Sequence, residues 1–186
     1  TTAFTAHPHR CPVTGEMLAF GYGQLPPYLT YLRISPTGEL VQAEEIEVPG
    51  PTMMHSFMIT ENHALFMDFP VVFDMQEALK GTMPFKWSDD YGARIGVMPR
   101  TGTNADVRWF EVDPCFVFHG MNAWEEGDKI IADVCRFNEI WRNPGDMQGG
   151  DGDLTLHRFT LDMAAGAVGE ETLDDRGLEF PRVPDA

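Results

Sequence analysis

The sequence predicts an all-β fold on three observations: an excess of turn residues, many short strand-like runs, and glycine turns between those runs. The 186 residues include 18 glycines and 14 prolines, a share above that of an average globular domain. Such a composition speaks against a helical bundle or coiled coil. In chain order the strand candidates open with Thr1–Thr5, Met17–Tyr22 and Tyr28–Ile34, each rich in apolar, β-branched or aromatic residues. Leu40–Val48 follows across the Pro36-Thr37-Gly38 turn, and Ser56–Thr60 and His63–Asp68 flank Glu61-Asn62. The second half adds Ala93–Met98, Val107–Val112, Cys115–Phe118, Ile130–Arg136, Leu154–Leu161 and Val168–Thr172. Turn signals at Thr14-Gly15, Thr37-Gly38, Glu126-Gly127-Asp128 and Ala165-Gly166 supply the backbone freedom that tight connections require. One short helix, Met75–Lys80, is closed by Gly81. Strand, polar glycine turn and strand, repeated with short links, make β-meanders, and several meanders build a sandwich, a barrel or propeller blades. No fixed-period repeat chooses among these.

Composition narrows the function. The formal net charge is −16, which argues against binding driven by nucleic-acid phosphates. No apolar run approaches the roughly 18 residues of a transmembrane helix, and no cationic-then-apolar leader opens the chain. Three cysteines, Cys11, Cys115 and Cys135, form no CxxC pair. They point to a reducing, cytoplasmic compartment rather than a disulfide framework or zinc knuckle. Gln148–Asp153 is read as a surface loop, without the DxDxDG spacing of a calcium site. Signatures of serine hydrolases, P-loop proteins, dinucleotide-binding folds and HExxH metalloproteases are missing.

The histidines carry the chemical signal. His7 ends an apolar run before Pro8, His55 follows a Pro-Gly-Pro segment and opens an apolar strand, and His119 ends Cys115–Phe118 before Gly120. Each stands where a strand meets a turn with little polar company, at separations on the scale of meander units. Strand ends from radially arranged meanders can converge on one axis, and three neutral imidazoles there would suit Fe, Zn, Cu or Ni. A lone histidine at a strand end is more often a hydrogen-bonded structural residue, so only the set of three argues for metal. His9 in a polar turn, His63 after Asn62, and His157 in an alternating, half-exposed strand read as structural. Phe57, Phe69, Phe118 and Trp124, beside these motifs, read as core residues before tunnel residues.

Four segments carry a resemblance to a known family. They are Thr5-Ala6-His7-Pro8 with Pro12-x-Thr14-Gly15-Glu16, and Met53-Met54-His55-Ser56-Phe57 with Ile59-Thr60-Glu61-Asn62. Trp109-Phe110-Glu111-Val112 leading to Phe118-His119-x-x-Asn122-Ala123-Trp124-Glu125-Glu126-Gly127-Asp128 is the third, and Leu178-Glu179-Phe180-Pro181-Arg182 the fourth. In this order, spanning the chain nearly end to end, they resemble the carotenoid cleavage oxygenases, a family that includes stilbene-cleaving dioxygenases and the retinoid isomerase. The resemblance implies a seven-bladed β-propeller with four histidines holding a non-haem Fe(II) on its axis. His7, His55 and His119 match the first three, and Glu179 matches the glutamate that hydrogen-bonds the third. The fourth histidine has no counterpart by Ala186, so residues 1–186 are expected to be an interior slice, three to four blades of a longer single domain entered mid-blade at Thr1. The implied reaction is cleavage of a C=C bond of an apolar carotenoid, apocarotenoid or stilbenoid by O2, giving two carbonyl products. Ser56 and Cys11 depart from the family, which commonly has Asp at both positions. A non-catalytic propeller module and a zinc-dependent β-rich hydrolase are the competing readings.

Overall fold

The chain was analysed as a computed structural model, which describes residues 3–142 and 152–183. Among the described residues, three four-stranded antiparallel sheets follow one another along the sequence. The first contains β1 (His9–Arg10), β2 (Met17–Tyr22), β3 (Leu29–Ile34) and β4 (Leu40–Glu45), in that spatial order. The second begins with β5 (Met58–Ile59) and β6 (His63–Asp68). The chain then leaves it through a hairpin of β7 (Val71–Phe73) and β8 (Phe85–Trp87) that encloses α1 (Met75–Leu79), and returns as β9 (Arg94–Pro99) and β10 (Arg108–Glu111). The third sheet runs through β11 (Phe116–Glu126), β12 (Lys129–Phe137), β13 (Leu154–Asp162) and β14 (Val168–Asp174). Consecutive four-stranded meanders are propeller blades, and the all-β propeller expectation holds with three blades and an inserted hairpin.

Why the blades stack is legible in β6, whose residues Ala64–Asp68 are all buried. Ala64 and Phe66 point into a core shared with the first sheet, beside Leu18, Phe20, Tyr31 and Phe57. The alternate residues Leu65 and Met67 point the other way, into a core shared with the third sheet, beside Phe110, Phe116, Ile130 and Phe159. A strand apolar on both faces is what a sheet sandwiched between two neighbours needs. The last strands are wetter: β4 and β14 have no buried residue.

The second and third blades repeat one polar device. In each, an aspartate on the second strand faces an arginine on the third as a direct cross-strand partner, Asp68 with Arg94 and Asp133 with Arg158. Arg94 Nε donates to Asp68 at 2.8 Å, and Arg158 grips Asp133 with two bonds of 2.7 and 2.9 Å. Each guanidinium also lies over a tryptophan, Trp109 or Trp124. Asp68 is fully buried, which pushes its carboxyl up against the opposing pull of Arg94 and Tyr91.

Several sequence expectations are corrected. No strand forms over Ala3–Thr5, because only the Thr5 N–H finds a ladder-like partner, the Phe20 carbonyl, before Pro8 intervenes; residues 1 and 2 of that run lie outside the described residues. Leu40–Val48 ends at Glu45, short of the Pro49-Gly50-Pro51 break. The strands β7 and β8 were not expected, since Pro70 and Pro84 beside them obscure the pattern. Most of the Gln148–Asp153 loop lies outside the described residues. The helix agrees: Asp74 caps α1, accepting from the Gln76 and Glu77 N–H groups.

Candidate metal centre

His7, His55 and His119 come from corresponding places in the three blades. His7 lies two residues before β1, His55 three before β5, and His119 lies within β11, each at the first strand of its sheet. Local chemistry fixes each one. The Thr5 hydroxyl oxygen accepts the His7 N–H at 3.0 Å, while Thr5 N–H is tied to Phe20 O at 2.7 Å. His55 sits in an irregular segment pinned by buried Met53, Met54 and Phe57, with Met53 N–H on the Val71 carbonyl.

His119 does not end a strand, as its neighbour Gly120 had led us to expect. It lies in the irregularity between Val117 and Gly120 of an eleven-residue strand, and such bulges re-aim side chains. Gly120 is required by close approach rather than by a turn. A Cβ there would stand 2.7 Å from the Met58 side chain, so glycine lets β11 press against β5.

The three rings meet. Their centroids are 4.8, 5.0 and 5.1 Å apart, a near-equilateral triangle. His7 Nε2 and His55 Nε2 approach to 3.0 Å, and one ligand nitrogen from each ring falls within 4.8 Å of the others. Glu179 Oε2 lies 2.8 Å from His119 Nδ1, which leaves His119 Nε2 for the centre. The same oxygen accepts the Phe180 N–H at 2.9 Å. Phe180 lays its ring 4.7 Å from that of His119 from a left-handed backbone with φ of 55°, a conformation that a bulky residue rarely adopts.

Electrostatics favour neutral imidazoles. Burial, then the proximity of His119, lowers the His7 pKa below its usual value. Burial, then His7 and His119, brings His55 down to about 4. Three imidazoles with nitrogens facing one point are the donor set of a transition-metal site, and such ligation suits Fe, Zn, Cu or Ni. A carboxylate on the far nitrogen of one ring is the usual way to fix tautomer and ring plane. The residues present therefore fit a bound metal. A cavity of about 480 Å³ opens beside the triad, walled by Pro8, His9, Ser56, Phe180 and Arg182 among others.

The remaining sequence candidates separate cleanly. His9 is in strand β1 rather than a polar turn, with its Nε2 2.9 Å from the Phe57 carbonyl. His157 is buried, not half-exposed, because β13 is covered by β14, whose Glu170 lies 3.2 Å from it. His63 belongs to a feature that sequence reasoning missed. Glu125 on β11 gathers Thr60 Oγ1, the Asn62 N–H and side-chain amide, and His63 Nδ1, stapling the β5–β6 turn to the third blade. Its signal was present in two quoted motifs whose partnership only the fold reveals. Phe57 and Phe69 are core residues, while half-buried Phe118 packs edge-on to His55 at 5.4 Å. Trp124 is half-buried beneath Arg158. Cys11 is buried, and Ser56 donates to the Phe57 carbonyl.

Comparison with known proteins agrees with this geometry. The family model described as retinal pigment epithelial membrane protein matches residues 1–186. The chain is 40% identical over 191 residues to carotenoid 9,10(9',10')-cleavage dioxygenase 1 of Phaseolus vulgaris, covering 97% of this chain and 34% of that protein. The crystal structure of Pseudomonas brassicacearum lignostilbene dioxygenase superposes with a TM-score of 0.83 and 33% identity, over 96% of this chain and 40% of that one. That of cobalt-substituted Synechocystis ACO gives 0.82 and 28%, over 98% and 41%. The chain thus spans between a third and a half of the length of these relatives.

Proposed function

The chain belongs to the carotenoid oxygenase family, and from its site we propose that it serves a non-haem Fe(II) dioxygenase that cleaves a C=C bond with O2 into two carbonyl products. The observation that carries this reading is the convergence of His7, His55 and His119 from three successive blades, with Glu179 on His119. These three residues would hold the iron, with a fourth ligand contributed from elsewhere in a longer propeller of which residues 1–186 form one part. Bound iron would supply O2 binding and activation, the step no protein side chain performs.

What the chain's own residues do follows from their positions. Glu179 accepts the His119 Nδ1 proton and so presents the opposite nitrogen inward. Burial keeps His7 and His55 uncharged, which leaves their lone pairs available. Phe118 and Phe180 put apolar surface against His55 and His119, suited to an apolar chain or ring and to excluding water. Carotenoid, apocarotenoid and stilbenoid substrates all fit that chemistry. Cleavage itself asks for no general base, so the imidazoles are free to serve as ligands. The three free, buried cysteines support a reducing, cytoplasmic setting, and among the described residues no helix is long and apolar enough to cross a membrane.

The test is to load the intact protein with Fe(II) without oxygen, then add an apocarotenal or a hydroxystilbene with labelled O2. Two carbonyl products carrying label, absent with His119→Ala, are expected. An iron-replete protein that leaves both substrates untouched would overturn the assignment.

A further inference from the structure

Histidine 9 matches no ligand position and reads as bland in the sequence, yet it stands beside the triad in the wall of the same cavity. His9 follows His7 by two residues, as Phe57 follows His55. The structure aligns these two segments rung by rung. His7 Nε2 meets His55 Nε2 at 3.0 Å, and His9 Nε2 meets the Phe57 carbonyl oxygen at 2.9 Å, both across a separation of 48 residues. A carbonyl only accepts, so His9 carries its proton on Nε2 and donates it.

The second rung is the better anchored. Phe57 is fully buried, its ring edge-on to His9 at 5.0 Å and to Phe20 at 5.3 Å. His9 in turn is paired with Leu18 on β2. The strands that follow the two ligands, β1 and β5, are two residues each and belong to different sheets, so no β-ladder joins them. We propose that His9 is a positioning residue: its bond to the Phe57 carbonyl links the first two blades at the axis and sets the spacing of His7 from His55. This rests on the reading of the triad as a metal centre. It also supplies a use for a side chain whose polar atom faces the backbone behind a ligand rather than the centre itself.

The variants are His9→Leu, which removes the donor, and His9→Gln, whose amide N–H can reach the same carbonyl. Co(II) is the probe, with affinity measured by competition with a chelator and ligand geometry by the visible spectrum. The thermal midpoint of each metal-free protein reports folding separately. We expect His9→Leu to weaken Co(II) binding by about 10-fold, the lower end of losses on removing a residue that orients a ligand, with an altered spectrum. His9→Gln should restore both. A His9→Leu protein with wild-type affinity and spectrum overturns the proposal, as does a folded His9→Gln no better than His9→Leu. Should His9→Leu fail to fold, His9→Gln decides alone: wild-type affinity and spectrum support the latch, and weakened binding refutes it. A wild-type protein that takes up no Co(II) overturns the metal centre and the latch together, whereas normal wild-type binding with an indifferent His9→Leu removes the latch only.

Discussion

Replacing Glu179 by glutamine probes the site through a single charge. One carboxylate oxygen, Oε2, accepts from both His119 Nδ1 at 2.8 Å and the Phe180 N–H at 2.9 Å, while Oε1 is buried without a hydrogen-bond partner. Glutamine can turn its carbonyl toward both donors and keep the geometry, but the acceptor is then neutral. Hydrogen bonds to a charged group contribute roughly 1.5–3 kcal/mol against about 0.5–1.5 kcal/mol for neutral ones. The loss is therefore about 1–1.5 kcal/mol, close to 10-fold in an equilibrium constant. The amide NH2 adds to it by occupying the buried place where Oε1 has no partner. Together these put the loss of metal affinity at roughly 10- to 100-fold, the range found when a ligand histidine loses its carboxylate. The assay is chelator competition for Fe(II), beside the thermal midpoint of the metal-free protein, which should fall by only a few degrees, about 2–4 °C per kcal/mol. Affinity within twofold of wild type in Glu179→Gln would refute the role assigned to Glu179.

Other expectations test how the blades hold the site. Burial raises the Glu125 carboxyl, but bonds from Asn62, Thr60 and His63 outweigh it and bring the pKa to about 2. A carboxylate lowered on folding contributes stability above its ordinary value near 4.5 and loses it as pH falls toward 2, at most about 3 kcal/mol here. Urea unfolding at pH 6 and pH 3 should show about 2 kcal/mol of that loss in the wild type and a flatter profile in Glu125→Gln; equal slopes would remove the staple. Asp68→Ala strands the Arg94 guanidinium and leaves the Tyr91 hydroxyl only its longer bond to the Gly50 carbonyl, and should cost about 3 kcal/mol in urea unfolding. A loss below 1 kcal/mol would contradict the cross-strand pair. Gly120→Ala pushes a methyl against Met58 beside His119, and we expect about 1–3 kcal/mol of destabilisation together with weaker metal binding. Unchanged values of both would show that β11 has room.

Much of this was legible because local chemistry dictated it. Met17–Tyr22 and His63–Asp68 coincide with β2 and β6 since their apolar runs end at real turns, and the helix was marked by Gly81, while its Asp74 cap emerged from the structure. The three histidines stood out by their apolar company and the motifs around them. Long-range pairing was what the sequence concealed. Asp68 and Arg94 face each other only because β9 returns to β6 after a hairpin and a helix, and nothing local distinguishes them from surface charges. His119 looked like a strand end because Gly120 normally signals a turn, whereas the glycine answers a side chain 62 positions away in sequence. His9 and His157 looked bland because the bond of the one to the Phe57 carbonyl and the burial of the other beside β14 are long-range features.

Everything proposed for this site follows from three imidazoles binding iron between them. The decisive measurement is anomalous diffraction at the iron edge, from crystals of the intact protein loaded with Fe(II). We predict one strong peak bounded by the rings of His7, His55 and His119, absent from His55→Ala crystals treated identically. An iron peak elsewhere, or no peak among these rings in a fully loaded crystal, would contradict it.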